Sequence, residues 1–115
     1  MAKIQIKTLS EAPLVELPQG FSGTAQTQAF FDRGAYTIAV YHHGLRCDAS
    51  LRIGPKETDC VVYIWSGAVA AGGRLLTASS SLVVERGAAI EICGKDPSSV
   101  LLTFSAAHPS KEVWT

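Results

Sequence analysis

Apolar and polar residues alternate with period two over most of this chain, and the alternation stops at glycine and proline. Lys3-Ile4-Gln5-Ile6-Lys7 alternates in this way and predicts a short strand. Pro13, Pro18 and Gly20 then turn the chain into a loop. Thr24 to Phe31 reads as a strand, because its threonines and two phenylalanines suit a pleated surface. Tyr36 to His42 is rich in β-branched and aromatic residues and predicts another. The alternation is cleanest between Arg46 and Ile53. Cys47, Ala49, Leu51 and Ile53 fall on one side, Arg46, Asp48, Ser50 and Arg52 on the other. The apolar row is assigned to the interior. Cys60 to Trp65 is apolar almost throughout, as in a strand covered on both faces. Val62 and Ile64 share a side with Cys60, whereas Tyr63 and Trp65 point the other way.

Ala68 to Ala71 and Arg74 to Thr77 flank Gly72-Gly73, a hairpin signal because both turn positions need positive φ. Leu82 to Val84, Ala89 to Ile92 and Val100 to Phe104 add further strands, with turns at Gly87 and from Gly94 to Ser99. The pattern implies about nine or ten short strands and no long amphipathic helix. The expected fold is all-β, a small single-domain jelly roll or double-stranded barrel. Residues 1–34 are expected to supply N-terminal strands and a loop packed on the barrel. Residues 35–107 form the barrel core, and 108–115 a tail containing Trp114.

Composition narrows the partners. The 115 residues suit one domain with one core. Charged residues make up only 17%, which leaves apolar surface for self-association. Ten basic and ten acidic residues cancel, and no basic stripe offers a footprint for nucleic acid. No apolar run is long enough to span a membrane as a helix. Cys47, Cys60 and Cys93 form no pairing motif, and the N-terminus lacks the apolar core of a signal peptide. A cytoplasmic protein with reduced thiols is expected.

The segment from Gly54 to Gly94 resembles the cupin superfamily. Tyr63-Ile64-Trp65-Ser66-Gly67 matches the strand that closes the first cupin block, and Gly87 matches the glycine of the second. The resemblance implies a cupin-like, RmlC-like barrel whose metal-ligand positions are replaced. Gly54 and Lys56 stand at the histidine positions, Cys60 at the glutamate and Ile90 at the last histidine. Neither glycine nor isoleucine ligates a metal, lysine repels one, and a single thiol does not hold one. No metal or other cofactor is therefore expected.

His42 and His43, with Lys56 and Cys60 in support, are the candidate catalytic residues. A histidine titrates near neutral pH and suits acid/base work. Adjacent strand residues point to opposite faces, so both enter one pocket only if the strand ends at Gly44. The plainer reading is a pair at a rim or subunit contact. Cys60 is either a small buried hydrophobe or a thiolate activated by Lys56. The expected pocket is the barrel interior lined by Leu51, Ile53, Val62, Ile64 and Ile90. A small organic molecule is the expected ligand, and an outer sheet face including Tyr63 and Trp65 the expected homodimer contact. Two functions fit: a metal-independent enzyme of isomerase, dehydratase or lyase type, or a non-catalytic module that binds a small ligand or dimerises. A third reading moves a metal to His42, His43 and a carboxylate such as Asp48 or Glu57.

Overall fold

The structure is a computed structural model and describes residues 4–16, 20–31 and 38–106. The expected tail lies outside these residues. A short 3-10 turn, Leu9–Glu11, leads into the strands. The strands run in chain order β1 Leu14–Val15, β2 Phe21–Ser22, β3 Ala25–Phe31, β4 Ile38–Leu45, β5 Ser50–Ile53 and β6 Cys60–Ser66. They continue with β7 Ala68–Ala71, β8 Arg74–Thr77, β9 Ser81–Val84, β10 Ile90–Gly94 and β11 Ser99–Ala106. Two antiparallel sheets result. One has six strands in the order β1-β3-β4-β11-β6-β9, the other five in the order β2-β5-β10-β7-β8.

The two sheets face each other across one aliphatic core. Leu45, Val62, Ile64, Leu101, Val69 and Ile92 are all fully buried there. The first four come from the six-stranded sheet and the last two from the five-stranded sheet, so alternate residues of both sheets interdigitate. The chain passes directly from β6 to β7, that is from one sheet to the other, at Gly67. Its φ of +82° suits glycine. A Cβ there would also lie 2.7 Å from the Ser99 Cα, too close for any side chain. Ser99 completes this corner. Its buried hydroxyl donates to the Ala68 carbonyl (3.0 Å) and accepts from the Ala68 N–H (3.3 Å). The Gly72-Gly73 hairpin joins β7 to β8, with φ of +57° and +78°.

Three expectations are corrected. Ile4 to Lys7 forms no strand, and Ile4 and Ile6 are exposed. Alternation alone does not make a strand where no sheet edge receives it. Arg46 to Ile53 is not one strand either. Arg46 to Ala49 is a turn closed by the Ala49 N–H donating to the Arg46 carbonyl (2.9 Å), and β5 begins at Ser50. Cys47 is consequently exposed, whereas Ala49, Leu51 and Ile53 are buried. Finally, Gly44 does not end its strand. β4 continues through it to Leu45, with Gly44 paired to Gln26 and Val100.

Candidate functional site

Because β4 stays regular through its histidines, His42 and His43 point to opposite faces of the six-stranded sheet. His43 points inward and is 4% exposed. Its Nδ1 lies 2.9 Å from the Thr27 hydroxyl on β3, and its Nε2 lies 3.0 Å from the Thr103 hydroxyl on β11. A neutral imidazole has one donor and one acceptor nitrogen, so one threonine donates to the ring and the other accepts from it. Both hydroxyls are themselves buried. The ring also packs against Phe21 of the opposite sheet at 5.4 Å and stacks near Tyr41 at 6.1 Å. Burial, helped by the fields of His42 and Lys56, lowers its pKa to about 4. At neutral pH His43 is an uncharged hydrogen-bonded clasp across three strands.

Cys60 faces the same interior from the first position of β6 and is 1% exposed. Burial raises the thiol pKa, opposed by the positive field of Lys56. The thiol form therefore prevails at neutral pH. Lys56 is exposed, in the loop before β6. Lys56 and Cys60 do line one narrow crevice, together with Ile53, Thr58, Val84 and Ala88, and it has no room for a water molecule. The loop is held by the Gly87 N–H donating to the Lys56 carbonyl (3.0 Å) and by the Arg86 N–H donating to the Asp59 carboxylate (2.8 Å). The two segments that carry the cupin resemblance thus meet in space. Leu51, Ile53, Val62 and Ile64 belong to the packed core, and Ile90 packs against it half-buried.

The metal reading on His42 and His43 fails on geometry, since side chains on opposite faces cannot share an ion. Among the described residues no three His, Cys, Asp or Glu side chains converge as a ligand set.

The outer face of the six-stranded sheet has a different character. β1, β3, β4, β11, β6 and β9 contain no Asp, Glu, Lys or Arg. Outward-pointing Trp65 and Val83 are 62% and 60% exposed. The Gln28 side chain donates to the carbonyls of Leu9 (3.1 Å) and Ala12 (3.0 Å), tying the 3-10 turn onto this face. Leu9, Phe30, His42, Trp65 and Leu102 then enclose an apolar cleft of about 280 Å³. His42 meets Phe30 edge-on at 6.4 Å. Its Nδ1 is buried with no hydrogen-bond partner among the described residues. Desolvation lowers its pKa, partly offset by an interaction with its own main chain.

Sequence reasoning missed the two threonine partners of His43 and the cleft around His42. Thr27 and Thr103 occupy inward positions of strands flanking β4, which needed the strand order. The uncharged strands, by contrast, stand plainly in the sequence.

No protein-family model matches the chain, and no curated protein matches it by sequence. Solved structures do match in fold. KdgF from Halomonas sp. superposes with a TM-score of 0.73 at 13% identity, over 96% of this chain and 99% of that one. An RmlC-like cupin from Shewanella frigidimarina NCIMB 400 gives 0.70 at 14% identity, over 98% and 97%. The polyketide cyclase RemF from Streptomyces resistomycificus gives 0.74 at 13% identity, over 92% and 81%. With the paired sheets, the corner at Gly67 and the meeting of the two loop segments, these matches establish that the chain has the RmlC-like cupin fold.

Proposed function

We propose that this chain is a cupin-fold module that assembles and binds without catalysing a reaction, and that it forms a homodimer through the outer face of its six-stranded sheet, with Tyr63 and Trp65 in the contact. The observation that carries this reading is a whole sheet free of charged residues whose outer side leaves Trp65 and Val83 exposed. A two-fold contact brings the same patch of both copies together, so a face without charge meets itself without like-charge repulsion. Five strands (β3, β4, β11, β6 and β9) spaced ~4.8 Å apart and averaging about seven residues at ~3.3 Å each span roughly 550 Å² in projection. The relief of the side chains adds to that figure, and a stable dimer takes roughly 800 Å² from each partner.

The interior supports the non-catalytic half of the reading. The inward histidine has both ring nitrogens engaged by threonine, and the inward cysteine is held as a thiol. The replaced ligand positions support a metal-independent protein. Its three thiols are free, which fits a cytoplasmic location.

Sedimentation equilibrium of the full chain tests the assembly. A dimer at micromolar concentration is the expected result, and Trp65→Glu is expected to give a folded monomer. A wild-type monomer at every concentration overturns the reading.

A second reading, a metal-independent small-molecule enzyme of isomerase, dehydratase or lyase type, rests on Lys56. Its positive field reaches both Cys60 and His43, at one end of the interior. A thermal-shift screen of small carboxylates tests it. Stabilisation that disappears in Lys56→Gln supports this reading, and no stabilisation by any carboxylate removes it.

A further inference from the structure

The proposed dimer face contains one titratable group in its most enclosed spot. His42 forms a wall of the cleft made with Leu9, Phe30, Trp65 and Leu102. The other side chains of that wall are hydrocarbon and aromatic ring, so none of them accepts a hydrogen bond from a protonated imidazole, and the main chain of His42 itself gives only a partial offset. Its Nδ1 is already sealed from water with no hydrogen-bond partner among the described residues.

Among the described residues, the elements packed around His42 offer little compensation for a charge. β3 and β11 carry no ionisable residue on either face. β6 carries Tyr63 on this face and Cys60 on the other, while β4 itself carries Tyr41 and His43 on the inner side. The 3-10 turn carries Glu11, whose carboxylate accepts from the Thr8 N–H and hydroxyl at 2.8 and 2.9 Å. Those bonds hold the Glu11 pKa below the ordinary range, so its charge stays constant near neutral pH. Lys7 stands just before the turn.

We propose that His42 makes the association of two copies pH-sensitive: with neutral imidazoles the uncharged faces close on each other, and a proton on His42 of each copy opens the contact. This inference rests on the dimer proposed above. Linkage fixes its sign. Closing a second apolar face over His42 removes more water from it and disfavours its charged form further. The separated copies then bind more protons than the dimer, so acidification favours separation. His42 is neutral and the contact closed at neutral pH, and because burial already lowers its pKa in the separated copies, the contact weakens as pH falls below the ordinary imidazole value of 6.5.

The test is sedimentation equilibrium of the wild type, His42→Phe and His42→Gln at several pH values, with circular dichroism confirming the fold at each. Between pH 7.5 and 5.5 the wild-type Kd is expected to rise at least about tenfold, since two protons per dimer permit up to about a hundredfold per pH unit. Both variants keep His43, so any contribution from that buried ring persists in them. Variants that associate with a pH-independent Kd support the inference. A wild-type dimer of constant Kd overturns it, as does a variant that keeps the wild-type pH slope. A wild type that is monomeric already at pH 7.5 overturns the dimer itself, and so separates the two failures.

Discussion

The two sheets of this protein turn very different surfaces outward. The six-stranded sheet has no charged residue in any strand and exposes Trp65 and Val83. The five-stranded sheet carries Arg52 on β5, Glu91 on β10 and Arg74 on β8, and sets Arg52 directly opposite Glu91. Both sheets turn mainly apolar inner sides to one shared core, so the core does not account for the difference. Opposite charges facing each other across an antiparallel pair belong on a surface that stays in water. A surface without charge is expensive to keep exposed and gains from being covered. Under the proposed dimer, one sheet is the solvent side and the other the contact side.

That contrast is easiest to break with charge. Trp65→Glu or Val83→Lys is expected to raise the dimer Kd by more than about a hundredfold, since a buried unpaired charge costs several kcal/mol. Sedimentation equilibrium reads the change directly. A dimer that tolerates both substitutions would place the contact elsewhere.

The next largest effect concerns the two sides of β4. His43→Ala is expected to lower folding stability by about 2–4 kcal/mol, from a cavity and two stranded threonine hydroxyls. His42→Phe is expected to change monomer stability by less than about 1 kcal/mol, because it leaves no buried polar group without a partner. Urea titrations of the monomeric Trp65→Glu background separate the two. Equal losses would show that the clasp contributes nothing.

Acid provides a milder version of the same contrast. An unfolded His43 takes up a proton near pH 6.5, whereas the folded ring resists until about pH 4. The unfolded chain thus binds more protons within that window, and stability falls as pH drops through it, levelling off below. The loss attributable to His43 is at most roughly 3 kcal/mol, and His43→Ala should flatten the slope.

The smallest effects belong to the charged sheet. Arg52→Ser removes one surface cross-strand pair and is expected to cost less than about 1 kcal/mol, seen as a minor shift in urea midpoint. Leu75→Lys, at a position 64% exposed on β8, should leave both stability and the dimer Kd unchanged. A monomeric Leu75→Lys protein would mean that the charged sheet also makes contacts.

How much of this could be read from residue order alone varies with the physical cause. Strands from β6 to β11 follow from alternation and from glycines whose φ is positive, both local properties. The cupin resemblance also lay in that half, and the two loop segments that carried it touch through Lys56, Asp59, Arg86 and Gly87. Alternation misled at Arg46 to Ala49, where an Asp48 carboxylate accepts from the Thr24 N–H and hydroxyl and favours a turn over extension. It misled again at Ile4 to Lys7, where no neighbouring strand receives the pattern. The site was half legible. Period two fixes that His42 and His43 diverge, provided that Gly44 does not end the strand. The partners of His43 come from residues 27 and 103, which only the strand order brings to either side of β4.

The borders of the sheets limit how far self-association can go. β1 and β2 are two residues long, while β8 and β9 have four each. Such stubs offer few free main-chain donors and acceptors for another strand to add on. Growth by lateral strand addition, which would propagate without limit, is thereby blocked. Stacking of sheet against sheet uses up the sticky surface of both molecules at once. In the proposed dimer the particle so formed is finite, and the protein is then expected to stay as discrete pairs even when concentrated.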